Sequence, residues 1–159
     1  MKTLIAYAGK NGTTKKAAYL LKDHITNSVV VDLAKEKPML QEYDAVIMGS
    51  CIHMWQMQQP AKEFLAREKE TLLTKKTGYF ICCGLPEKAE EEIEANIPEE
   101  LRSAALVIES FGGVMEPGAL KGMDKFIAKI AVKQRAKNPE ALTTEFYPDK
   151  VIEFAKKFA

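Results

Sequence analysis

From residue 5 to residue 14 the chain reads Ile-Ala-Tyr-Ala-Gly-Lys-Asn-Gly-Thr-Thr. An apolar run breaks on Gly9 and Gly12, and two hydroxyls, Thr13 and Thr14, follow at the head of a helix-like segment, "KKAAYLL". Glycines let a backbone turn tightly and approach a ligand closely. A helix start presents unbonded N–H groups carrying partial positive charge. Together these features suit a phosphate. Two common phosphate patterns are missing: GxxxxGK[ST] fails because Thr14 precedes Lys15 where Gly-Lys is required, and GxGxxG fails because no glycine follows Gly12 at the right spacing. Nucleoside triphosphates and dinucleotides lose ground accordingly. The alternative use of the same residues is a plain strand-to-helix turn capped by threonine.

Trp55 is the lone tryptophan and lies in a polar, methionine-rich stretch, "CIHMWQMQQP", where no periodic pattern would bury it. Two readings stay open: an indole that stacks on a flat ligand, or a plug over the core. His53 reads as a polar wall or a surface residue. Cys82 and Cys83 end an apolar run, so one of them faces the core and the other a helix-covered face or a ligand. Nothing basic flanks them to activate a thiol, and packing is the expected role. With two histidines and three cysteines, no Cys/His metal site is expected. No side chain stands out as a catalytic acid or base.

These residues need a scaffold. Five short runs rich in β-branched and aromatic residues predict strands over 2–8, 29–34, 44–50, 77–83 and 105–113, all of them buried. Helical periodicity lies between them. Thr14, Ala17, Ala18, Leu21 and Ile25 share one face, as do Ala61, Phe64, Leu65 and Glu68 behind Pro60 as a first helical residue. Further helices are expected over 87–104 with a break at Pro98, over 120–136, and over 149–158. The segment 33–43 is short for a helix and predicts a loop or a single turn. Such alternation argues a parallel sheet covered on both faces. In such a sheet the first turn commonly lies at the ligand edge.

The 159 residues, 47% hydrophobic and 28% charged, suit one domain over 1–159. Neither a membrane span nor a secretory signal is expected, and the cysteine usage fits a reducing compartment, so the expected location is cytoplasmic. The net charge of +1 hides a segregation: 87–100 hold seven glutamates against one lysine, and 121–137 hold six basic residues against one aspartate. Lys121, Lys125, Lys129 and Lys133 form a stripe opposite Met123, Phe126, Ile127 and Ile130. That stripe reads either as a solvated face or as a dock for an anionic membrane or acidic partner. Nucleic acid is the weakest partner, because net charge is near neutral and no aromatics interleave the lysines.

Three blocks, "TLIAYAGKNGTTKKAAYLL", "EYDAVIMGSCIHMWQMQQPAKEFL" and "FGGVMEPGALKGMDKFIAKIAVKQ", resemble the flavodoxin-like family, in particular its branch containing menaquinone-dependent protoporphyrinogen IX dehydrogenase. The resemblance implies an α/β three-layer sandwich whose five-stranded parallel sheet has the order 2-1-3-4-5. It implies FMN as cofactor, its phosphate on Gly9, Lys10, Asn11, Gly12, Thr13 and Thr14. The ring would lie against Ser50, Cys51, Ile52 and His53, with Trp55, and against Cys83, Gly84 and Leu85. Family loops usually carry hydroxyls where this chain has Ala8 and Gly9. The implied role is that of an oxidoreductase with a small-molecule or protein redox partner, such as a membrane quinone, and hence peripheral membrane contact through the 121–133 stripe. A carrier flavodoxin, or a binding module that lost the flavin, would share the fold.

Overall fold

The computed structural model describes residues 1–10, 12–83, 86–113 and 146–159. The expected helix over 120–136 with its lysine stripe, and the site candidates Asn11, Gly84 and Leu85, lie outside these residues.

Six strands form the sheet: β1 (Thr3–Ala8), β2 (Ser28–Asp32), β3 (Ala45–His53), β4 (Gln56–Met57), β5 (Lys76–Cys82) and β6 (Val107–Ser110). The order is β2-β1-β3-β5-β6, every neighbouring pair parallel, with the two-residue β4 lying antiparallel on the end of β3. With β4 set aside, this is the expected 2-1-3-4-5 arrangement. Among the described residues, helices α1 (Thr13–His24), α2 (Gln59–Leu72), α3 (Ala89–Asn96), α4 (Glu99–Ala104) and α5 (Pro148–Lys156) are the other elements, with a short 3-10 turn at Pro86–Lys88. Pro98 separates α3 from α4, since proline cannot donate the N–H that a continuous helix needs there. Between β2 and β3 a turn forms in which the Lys35 and Glu36 N–H groups reach the Asp32 carbonyl at 3.0 Å, and no helix follows.

Side chains alternate across the sheet as a pleat requires. Leu4, Ala6 and Ala8 of β1 join Val46 and Met48 of β3 against Phe64 and Leu65 of α2 and Leu101 of α4. Ile5 and Tyr7 join Ile47 and Phe80 against Ala17, Ala18 and Leu21 of α1 and Phe154 of α5. β1 is buried at every position, and so is β5 after Lys76. The expectation that all five strands are buried fails at the two edges: β2 and β6 are only partly covered, and Val29 is exposed. An edge strand has a neighbour on one side only, so alternate side chains there meet solvent.

Two features of the middle of the sheet are set by absent side chains. A Cβ on Gly49 of β3 would stand 2.0 Å from Phe80 Cζ. The Phe80 ring sits on its register partner and stacks with Phe111 at 4.9 Å, while Phe111 meets Phe154 edge-on at 5.3 Å. Gly78 makes the same room for Phe158, whose ring would lie 2.7 Å from a Cβ there. Gly49→Ala is therefore expected to cost ~1–3 kcal/mol or more by overpacking. In urea unfolding, the loss should shrink when Phe80→Leu is combined with it; additive losses would mean that the ring does not sit on the glycine.

Candidate functional site

The carboxyl ends of β1, β3 and β5 lie side by side, with Ala8 beside Ser50 and Cys51 beside Cys82. The first turn leaves β1 at Ala8 and enters α1 through Gly12, whose φ of 89° is left-handed. No atom would crowd a Cβ at Gly12, so glycine is needed there for its backbone conformation and not for space. At Gly9 space is limiting, because a Cβ would stand 3.0 Å from Thr14 Cβ. No side chain caps α1 and its first turn holds no acidic residue. Thr13 and Thr14 are nonetheless buried, and Thr14 Oγ1 has no hydrogen-bond partner. A buried hydroxyl without a partner costs ~1–3 kcal/mol. An uncapped helix start of this kind fits an oxyanion such as phosphate.

The second stretch departs from the loop expected after residue 50. β3 continues to His53, the chain reverses at Met54-Trp55, and β4 pairs back, with Ile52 opposite Met57 and His53 opposite Gln56. Both central residues of this hairpin have positive φ, 53° at Met54 and 67° at Trp55, as a type I′ turn requires. Asparagine and glycine normally fill such turns; a residue with a Cβ costs ~1–2 kcal/mol in the left-handed region. Asn96, the last residue of α3, holds the hairpin in place. Its Nδ2 donates to the Trp55 carbonyl at 3.1 Å and its Oδ1 accepts from Met57 N–H at 3.0 Å. Trp55 remains 60% exposed, so of its two readings the core plug is the one that fails.

Other expected residues are placed as follows. Ser50 is buried, and its hydroxyl is committed within the chain, donating to the Cys51 carbonyl and accepting from Gln58 N–H, each at 3.0 Å. Ile52 packs on the α2 side of the sheet. Lys10 Nζ lies 3.3 Å from His53 Nε2, which joins the first turn to the end of β3. Cys51 and Cys82 are both buried on the α1 side. Burial pushes both thiols upward, while the Lys10 backbone and charge pull Cys51 partly back. The Thr14 hydroxyl lies close to both thiols and favours each thiolate as a hydrogen-bond donor, although neither contact counts as a formed hydrogen bond. Cys83 Sγ meets Ser110 Oγ at 3.6 Å. All three cysteines are buried and none is in a disulfide. No metal-binding cluster occurs among the described residues.

Comparison with known proteins bears on the same architecture. The model of the flavodoxin domain family matches residues 4–141. This chain belongs to the flavodoxin domain family. Solved structures of low sequence identity share its fold. Oxidised flavodoxin 1 from Bacillus cereus is 18% identical with a TM-score of 0.64, the match covering 99% of this chain and 97% of that one. A flavodoxin from the domain Archaea is 18% identical with a TM-score of 0.55, covering 98% and 99%. A Lactobacillus acidophilus flavoprotein in complex with FMN is 17% identical with a TM-score of 0.51, covering 69% and 92%. No curated protein matches the chain. Among the described residues no helix is long and apolar enough to cross a membrane.

Within this flavodoxin domain, sequence reasoning passed over two residues of α3. Asn96 is one, the clamp on the hairpin. Glu92, one turn earlier, is the other: it is buried, its Oε2 has no partner, and its carbonyl accepts from Asn96 Nδ2 at 2.8 Å. The i, i+4 spacing was visible, but a hydrogen bond between residues 96 and 55 leaves no local trace. Burial, helped by the neighbouring Glu91 charge, pushes the Glu92 carboxyl up to about 7 from 4.5. A carboxyl raised in the folded state binds its proton there more tightly than in the unfolded chain, so stability falls as pH rises from about 4.5 to about 7. The fall is expected to reach up to about 3 kcal/mol. Urea unfolding across that range should show it in the wild type and not in Glu92→Gln; an equal slope in both would place the titration elsewhere.

Proposed function

We propose that the chain is an FMN-binding redox protein, its phosphate site formed by Gly9 to Thr14. The observation that carries this reading is the uncapped start of α1 behind left-handed Gly12, with the unpartnered Thr14 hydroxyl buried beneath it. Bound FMN supplies the hydride and electron transfer that side chains cannot. The chain's own part is binding and orientation. Thr13, Thr14 and the first amides of α1 would receive the phosphate, and the Lys10 ammonium would add charge at the mouth of the turn. Ser50 to His53 and Cys83 to Leu85 are the residues that would flank the ring. Asn96 ties down Trp55 and Met57 of the hairpin that follows the first of these groups. Membership of the flavodoxin domain family supports the cofactor, as does the FMN complex of the Lactobacillus acidophilus flavoprotein.

The finer reading is an oxidoreductase similar to menaquinone-dependent protoporphyrinogen IX dehydrogenase, in which a quinone accepts the electrons. It rests on the three-block resemblance of the sequence. The same resemblance is the basis for peripheral membrane contact through the 121–133 stripe, and the reading takes the chain as one domain in the cytoplasm.

Calorimetric titration with FMN and riboflavin tests the cofactor site. FMN is expected to bind at least about tenfold more tightly, the difference of one charge-assisted hydrogen bond or more. Gly12→Val should remove about a factor of ten from FMN affinity through backbone strain, and should move riboflavin less. Equal affinity for the two flavins in the wild type would remove the phosphate assignment. The finer reading has its own measurement: the FMN-loaded, photoreduced protein is mixed anaerobically with a water-soluble naphthoquinone. Return of the oxidised absorbance within the mixing experiment is the expected result, and an unchanged reduced spectrum would overturn it.

A further inference from the structure

The β3–β4 hairpin does more than end a strand. Its outer residues, with α2 and the α3–α4 junction, enclose a cleft of about 550 Å³ lined by Trp55, Gln56, Lys62, Leu65, Lys69 and Asn96 among others. That volume is in the range of small-molecule sites. We propose that this cleft binds a small planar aromatic anion, such as a fused-ring aromatic carboxylate.

Three observations converge on that class. First, the indole of Trp55 is exposed, yet its backbone is strained and its carbonyl is held by Asn96, which also binds Met57 N–H. Strain of this kind persists only where the surroundings hold it, and it concentrates at ligand clamps. An indole fixed before binding offers a stacking wall at little ordering cost. Second, the charge of the cleft is positive. No carboxylate is among its described lining residues, although α3 and α4 are rich in glutamate; α3 turns Ala95 and Asn96 toward the cleft. Lys69 is engaged by Glu100 at 3.1 Å, whereas the bonded partner of Lys62 is the neutral Gln56 side chain. Lys62 thus carries the charge available to an anion. Third, apart from these polar groups the lining is apolar, through Ala66, Ala95 and Pro98 beside Leu65. A flat apolar body against Trp55, with an acidic group at Lys62, meets all three.

The chain has one tryptophan, so one indole N–H resonance reports on the cleft. The probes are 2-naphthoate and its neutral analogue 2-naphthalenemethanol, followed by calorimetry and by that resonance in the full chain. The naphthoate is expected to bind about tenfold more tightly, as a hydrogen bond to a charged group allows, and to shift the indole signal. Lys62→Gln should bring the two probes to parity, and Lys62→Arg should keep the preference. Unchanged melting of both variants shows that the fold is intact. Absence of naphthoate binding, equal binding of the two probes by the wild type, or a preference that survives Lys62→Gln would overturn the proposal. Displacement of naphthoate by stoichiometric FMN would also overturn it, by merging the cleft with the flavin site. Neither probe carries phosphate or flavin, so failure here leaves the cofactor reading standing, and the reverse also holds.

Discussion

The left-handed conformation of Gly12 is the constraint from which the rest of the site follows. It lets the chain leave β1 at Ala8 and start α1 at Thr13 with no side chain folded back over the helix start. The first amides of α1 are then left to an external partner. Once the helix begins there, Thr14 must lie under the turn, Ala17, Ala18 and Leu21 must face the sheet, and Thr14 comes close to the thiols of Cys51 and Cys82 on neighbouring strands.

A second constraint acts at the centre of the sheet. β3 has a parallel neighbour on both sides and runs beyond them to His53, which places the hairpin at the ligand edge. The paired strands β3 and β4 hold Met54 and Trp55 in the left-handed region, and Asn96 adds support from another layer. The acidity of α3 has a structural counterpart. Most of its glutamates face solvent, while Glu92 is buried and remains closer to its neutral form. The hairpin thus connects the flavin reading to the cleft on the α2 side without either depending on the other.

Much of this was legible from residue types. The run "TLIAYA" alternates between two buried faces, and both faces proved to be helix-covered, so its β-branched and aromatic content was a reliable strand signal. Gly9 and Gly12 marked the turn correctly, but the sequence could not separate their roles: Gly9 is limited by Thr14 and Gly12 by φ. The partial exposure of β2 and β6 was hidden because Val29 and Val107 look the same at an edge as in the middle of a sheet. The hairpin was hidden for a different reason. Met54-Trp55 lacks the asparagine and glycine that announce a type I′ turn, and the side chain that compensates for it stands some forty residues away.

The central claim is that the amides at the start of α1 receive a phosphate, and amide NMR of the isotopically labelled chain tests it most directly. On titration with FMN, the account predicts large shifts of the Gly12, Thr13, Thr14 and Lys15 N–H resonances, with inorganic phosphate shifting the same group in the same direction and riboflavin leaving them nearly unmoved. Shifts of equal size with riboflavin, or FMN-induced shifts that spare these four residues, would contradict it.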